Sequence, residues 1–184
     1  MSDRLFLAFW PGEDLRRELA TRVPAWLSDY PGRPQRPDQW HLTVEFLGTV
    51  GADRQPAVHA AARALEGFLA RPEVIRLDRL EHWARPEVLC VVASQVPQGI
   101  QDLVQALRSQ LAARGFEPER RDFRAHLTLA RKARQRVPAR AVDPFDWPVR
   151  TLSLVRSITD PAGSRYEPLT RWNVVRAPSD APGG

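Results

Sequence analysis

Two tetrapeptides, His41-Leu42-Thr43-Val44 and His126-Leu127-Thr128-Leu129, decide how this chain reads. The chain holds four histidines and seven threonines in 184 residues, and two of each fall into this one frame. A lone His-x-Thr carries no information. Two of them at matching places in a repeat do, because chance must place them twice. Along a strand, residues i and i+2 point to one face, about 7 Å apart. His41 and Thr43 therefore share a face, as do His126 and Thr128, while Leu42 and Val44 enter the core.

The surroundings of the tetrads also match. Residues 5–9 (LFLAF) read as a buried strand. Residues 12–23 carry Leu15, Leu19 and Val23 at spacing four, a helix expected to end at Pro24. Residues 31–39 hold three prolines and a glycine and read as a loop. A strand follows over 40–47, closed by Gly48 and Gly51, then a helix over 55–69 and a strand over 74–80. Then the pattern restarts. Residues 88–93 (VLCVVA) form a strand, and Pro97 suits a first helical turn. Ile100, Leu103, Val104, Leu107 and Leu111 make a helical stripe capped near Gly115, and 123–130 form the next strand. Leu5 precedes His41 by 36 residues, and Val88 precedes His126 by 38. The repeat, roughly 4–50 and 87–131, predicts an α+β fold of two pseudo-symmetric lobes. Each lobe is expected to be a small, mostly antiparallel sheet with helices on its outer face; if the two sheets face each other, both tetrads converge on one cleft. A last strand pair is predicted over 150–159 and 165–175. Residues 1–176 read as one bilobal domain and 177–184 as a flexible tail.

Composition excludes several classes. Hydrophobic residues at 43% and charged residues at 27% fit a globular chain. No apolar run of about 18 residues predicts a membrane span, and residues 1–10 lack a signal-peptide cleavage site. A single cysteine, Cys90 in VLCVV, excludes a disulfide framework and cysteine-rich zinc sites, and is expected to be an inert core thiol. These features predict a cytoplasmic protein with no membrane association. The net charge is +5, and 26 of the 27 basic residues are arginine, Lys132 being the sole lysine. Residues 114–140 hold nine basic residues against three acidic ones, a local excess above that of the whole chain. Such a run is either a solvated face or a surface for a polyanion; arginine's planar fork suits phosphate.

Paired histidines suit proton transfer near neutrality, since the unperturbed pKa is about 6.5 and one imidazole can act as base while the other acts as acid. Two threonine hydroxyls can hold the non-bridging oxygens of a phosphate. The bland alternative is a pair of structural histidines bonded to backbone carbonyls. A metal site would need a third ligand, and His59 and His82 stand in no metal-binding spacing. Neither a metal nor another cofactor is expected.

The tetrads resemble the paired H-x-T-x motifs of the 2H phosphoesterase superfamily. Within it, the chain is similar to the RNA 2′,3′-cyclic phosphodiesterase (2′-5′ RNA ligase) family. The similarity runs from about Arg4 to Val175, through RLFLAF, HLTVEFLG, LRSQLAARGF, FRAHLTLAR and SRYEPLTRW. The resemblance implies two lobes about a pseudo-twofold axis. It also implies hydrolysis of terminal 2′,3′-cyclic phosphates of RNA to 2′-phosphomonoesters, and reversible, ATP-independent joining of tRNA halves through a 2′-5′ linkage. It makes His41 the proton donor and His126 the acceptor, with Thr43 and Thr128 on phosphate oxygens. No obligate protein partner is expected, and the chain is expected to be a monomer.

Further substrate-binding candidates are Arg131 and Phe9. Arg131, five residues past His126, falls on the opposite strand face unless a bulge or strand end turns it toward phosphate. Phe9 and Trp83 are candidates for stacking on a base, Phe9 having core packing as its alternative. Competing functions are a related phosphodiesterase for 2′-5′ oligonucleotides or small cyclic nucleotides, and a non-catalytic RNA-binding module.

Overall fold

The computed structural model describes residues 2–28, 30, 32–160 and 163–177, with only the backbone of Asp160. Strand β1 (Ser2–Phe9) is buried on both faces from Leu5 onward, as its unbroken apolar run requires. Alternation along it separates two clusters. Leu5, Leu7 and Phe9 enter the main core, whereas Phe6 and Ala8, with Trp10, pack against Val155 and Tyr166 on the opposite face. Helices α1 (Glu13–Leu27), α2 (Gln55–Arg63) and α3 (Gln98–Ala112) all send their apolar stripes into the main core. The helices therefore cover one face of the sheet and leave the other to chemistry.

The remaining strands are β2 (Arg33–Pro34), β3 (Leu42–Gly51), β4 (Glu73–Trp83), β5 (Val88–Val92), β6 (His126–Arg131), β7 (Arg140–Val149), β8 (Thr151–Asp160) and β9 (Gly163–Asn173). Their order is β7-β4-β5-β6-β3-β1-β8-β9, all antiparallel, with β2 added along β6. Read outward from the middle, β3-β1-β8-β9 mirrors β6-β5-β4-β7. The two halves meet at a single registered pair, Leu42 with Leu127. Each tetrad thus begins at the junction, which places both histidines beside it. Packing ties the halves together as well. Trp26 of α1, the helix that follows β1, meets Phe145 of β7 edge-on at 6.3 Å.

Four expectations are corrected. Helix α1 continues one turn past Pro24, because burial of Trp26 outweighs the backbone bond that proline forfeits. Helix α2 stops at Arg63 instead of 69. Gly67, at φ +68, turns the chain so that its N–H reaches Asn173 O, and Leu69 bridges Val175. Strand β3 runs on through Gly48 to Gly51. Strand β7 has no counterpart in the expected elements. Pro144 and Pro148 disguise it, yet an edge strand tolerates proline, and Phe145, Trp147 and Val149 alternate inward. The tail expected over 177–184 lies, from residue 178 on, outside the described residues.

Candidate active site

Both histidines are held in the same way. His41 directs Nδ1 at the carbonyl of Gln39 (2.7 Å), and His126 directs Nδ1 at the carbonyl of Arg124 (2.8 Å). A carbonyl can only accept, so Nδ1 carries the hydrogen and Nε2 is left to exchange protons. Nε2 of His41 lies 3.0 Å from the Thr43 hydroxyl.

A bulge then interrupts each tetrad strand at the same place. Leu7 pairs with Glu45 but Ala8 with Thr43, so β3 carries one extra residue, Val44. Leu89 pairs with Ala130 but Cys90 with Thr128, so β6 carries one extra residue, Leu129. An extra residue reverses which side chains face out. Residues 42–46 and 127–131 share one pattern: buried, half-buried, buried, buried, exposed. Two adjacent buried residues, Val44 with Glu45 and Leu129 with Ala130, replace strict alternation. Phe46 and Arg131 consequently come out on the histidine face. The bulge thus supplies the condition under which Arg131 reaches the cleft.

One cavity of about 360 Å³ is lined by His41, Thr43, His126, Thr128 and Arg131, together with Phe6 and Tyr166 among others. Phe9 is absent from it. Phe9 is 1% exposed, lies in the main core and meets Phe123 edge-on. Its expected stacking role is therefore corrected. In β1 the cleft face belongs to Phe6, an assignment a fully apolar strand does not reveal. Trp83 does adjoin the site, its ring 4.7 Å from that of His126.

The two imidazoles have different surroundings. Three aromatic rings enclose His41: Phe6 at 4.9 Å, Tyr166 at 5.1 Å and Trp10 stacked at 5.5 Å. This burial disfavours the charged form and pulls its pKa down to about 4, with smaller contributions from His126 and Arg131. Among the described residues, only the Trp83 ring packs against His126, whose pKa is lowered chiefly by burial and further by Arg124 and Arg131. The Gln39 and Arg124 carbonyls oppose these shifts by accepting from Nδ1.

Beyond Thr43 and His126 the cavity opens into a groove of about 870 Å³, walled by Phe46, Trp83, Phe123, Arg120 and Arg121 among others. Its rim is anchored by Glu45, a buried carboxylate at 3% exposure. Glu45 accepts from Arg108 Nε (2.9 Å) and from the Glu119 backbone N–H (2.7 Å). Arg124 reaches across to Glu81 at 3.0 Å and covers the Trp83 ring. Sequence reasoning missed Phe46 and Tyr166 as parts of the site. The available signal was a bulky apolar Phe46, 65% exposed in the structure, directly after a charged residue in an otherwise alternating strand. The basic run over 114–140 divides here: Arg120, Arg121 and Arg124 line the groove, whereas Arg131 and Lys132 lie on the other side of the cleft.

The other histidines are structurally occupied. His82 pairs through Nε2 with Ala133 O at 2.6 Å, and His59 packs on Trp172. Cys90 is buried, and desolvation, with Glu81 nearby, pushes its thiol up to about 12. Among the described residues, no cluster of three or more His, Cys, Asp or Glu side chains is placed to hold a metal ion. No helix among them is long and apolar enough to cross a membrane.

Comparison with known proteins agrees with this geometry. The LigT-like phosphoesterase family matches the chain twice, over residues 11–90 and again over 91–166, one match for each tetrad. The RNA 2′,3′-cyclic phosphodiesterase of Escherichia coli is 33% identical, the alignment covering 94% of this chain and 97% of that protein. The RNA 2′,3′-cyclic phosphodiesterase of Thermus thermophilus is 28% identical over 93% of this chain and 90% of its own length. The crystal structure of E. coli LigT complexed with 3′-AMP superposes with a TM-score of 0.79 and 29% identity, covering 96% of this chain and 100% of that one. With its family matched across both halves and a relative one-third identical along nearly its whole length, the chain belongs to the LigT-like phosphoesterases.

Proposed function

We propose that the chain hydrolyses the 2′,3′-cyclic phosphate at an RNA 3′ end to a 2′-phosphomonoester. The observation that carries this reading is the paired tether: two imidazoles, each fixed through Nδ1 to a carbonyl, share one cavity with two hydroxyls and an arginine. The names of the two curated relatives support it. In the proposed step, water attacks phosphorus and gives its proton to His126 Nε2. The P–O3′ bond breaks in line, and His41 Nε2 protonates the departing O3′. Thr43 and Thr128 hydroxyls hold the non-bridging oxygens, and Arg131 offsets their charge. The anionic phosphate between the imidazoles favours their charged forms and so opposes the burial that keeps His41 neutral in the free protein. Joining through a 2′-5′ linkage is the same step with an RNA 5′-hydroxyl in place of water. The terminal base takes the aromatic groove at Phe46 and Trp83.

A monomer acting in the cytoplasm on ends such as those of tRNA halves completes the proposal. The deciding experiment is incubation with an oligoribonucleotide ending in 2′,3′-cyclic phosphate, with the product phosphate mapped. Conversion to the 2′-monoester, undiminished by prolonged chelation, is expected. Preference for a 2′-5′ oligonucleotide or a 3′,5′-cyclic nucleotide overturns the substrate; a rate restored only by added metal overturns the two-histidine mechanism.

A further inference from the structure

A second cavity, of about 240 Å³, adjoins the first on the side away from the aromatic groove and shares Arg131 and Ser164 with it. Its walls carry five cations, Arg33, Arg36, Arg131, Lys132 and Arg165, and, among the described residues, no carboxylate. The nearest acid in sequence, Asp38, is bonded to Arg36 at 2.8 Å and does not line the cavity. Sheet pairing builds this concentration of charge. Strand β2 lies along β6 so that Arg33 stands directly opposite Arg131, and the Gln35 N–H bonds Leu129 O at the bulge. Immediately after Arg131, Lys132 adopts φ +56, a left-handed conformation uncommon for a residue with a side chain. The cavity is also wired to the catalytic histidine. Gln39 lines it, and the Gln39 carbonyl is the one that accepts from His41 Nδ1.

We propose that this cavity is a second phosphate subsite, which takes the phosphodiester on the 5′ side of the terminal nucleotide while the first cavity takes the cyclic phosphate. The inference rests on the activity proposed above. A backbone phosphate can be met by several cations at once whatever the sequence, whereas an arginine contact to a base edge depends on which base is present. The RNA end would then be gripped at three points: base in the aromatic groove, cyclic phosphate at the histidines, and the preceding phosphate among the cations. Lys132 and Arg165 belong to the subsite alone and take no part in the proposed catalysis.

The test compares adenosine 2′,3′-cyclic phosphate, its 5′-phosphorylated form, and the dinucleotide ApA ending in 2′,3′-cyclic phosphate. Wild-type kcat/KM is expected to rise about 10- to 100-fold from the first substrate to the dinucleotide, mainly through KM. In the Lys132→Asn/Arg165→Gln double variant that advantage should shrink to about threefold or less, with turnover of the mononucleoside kept within about twofold. The salt dependence of the dinucleotide reaction should weaken in parallel. Asparagine tolerates the left-handed backbone, and a thermal melt shows whether the variant is folded. An equal loss on all substrates, or a retained advantage in a folded variant, overturns the subsite. A gain confined to the 5′-monophosphate overturns its assignment to the strand. Wild-type protein inert on all three substrates overturns the activity instead. The subsite is then read from calorimetric affinity for ApA ending in a 3′-phosphate, where a tie between wild type and double variant overturns it.

Discussion

The two halves of the sheet share a backbone plan and differ in what the plan exposes. Each brings a histidine to the junction, tethers its Nδ1 to a carbonyl two residues back, and bulges after the threonine. In the first half the bulge buries Glu45 and exposes Phe46; in the second it buries Ala130 and exposes Arg131. His41 sits among three aromatic rings, His126 beneath one. A cyclic nucleotide is itself two-sided, with a flat base on one side and charge on the other. On the proposed reading, a symmetric frame serves an asymmetric ligand by changing two side chains per bulge. Proton transfer in opposite senses likewise needs two like groups in unlike settings.

The sharpest way to break this comparison is to remove one histidine at a time. His41→Ala and His126→Ala should each cut hydrolysis by about 10²- to 10⁴-fold without unfolding the protein. The wild-type kcat/KM profile should be bell-shaped, its limbs belonging to the pair. His41→Ala should lose the basic limb and keep the acid one. A profile still bell-shaped in that variant assigns the donor elsewhere. Because bound phosphate favours both charged forms, the limbs of kcat should lie at higher pH than those of kcat/KM; coincident limbs would contradict it.

The next test converts the first bulge toward the second. Glu45→Ala leaves Arg108 buried without its carboxylate and should cost about 3–5 kcal/mol in urea unfolding. Adding Arg108→Leu should recover much of this. An unchanged midpoint in the single variant would show that the pair does not hold the groove rim to β3. The third test uses the aromatic enclosure. The His41 pKa falls from 6.5 unfolded to about 4 folded, so its contribution is complete above pH 6.5 and is lost as pH falls toward 4. The loss should approach about 3 kcal/mol as an upper figure. In His41→Phe that part of the acid destabilisation should disappear, as denaturant midpoints at pH 7 and pH 4 would reveal. The smallest effect is expected at Phe46. Its change to alanine should raise KM about tenfold, as for one lost stacking contact, and leave kcat nearly untouched. A change in kcat of the same size would place Phe46 among the groups that position the phosphate.

Much of this was legible in the sequence, and what was not has physical causes. The tetrads and their matching surroundings stood out because histidine is scarce here and strand and helix periods differ. From them followed the paired strands, the convergence of His41, Thr43, His126 and Thr128, and the family resemblance. A bulge, however, is one extra residue with no composition of its own, so the emergence of Arg131 could be stated only as a condition and that of Phe46 not at all. Phe9 was misplaced because LFLAF is apolar throughout and does not say which face meets the cleft. Strand β7 hid behind two prolines that its edge position makes harmless. The cage around His41 depends on Tyr166, more than a hundred residues away, and no local pattern reports such a contact.

The order in which the sheet is threaded has a consequence for biosynthesis. Strands β4 to β7 are contiguous in the chain, whereas β1 and β3 wait for β8 and β9 before their half is complete. A ribosome delivers the chain from its N-terminus at roughly 5–20 residues per second. Both histidines therefore leave the exit tunnel before the neighbour of β1 and the ring of Tyr166 emerge from it. The nascent chain carries both tetrads but exposes the β1 edge and an unshielded His41. Catalytic competence arrives with the last hairpin, so a message truncated before it yields an intact motif pair without an assembled site.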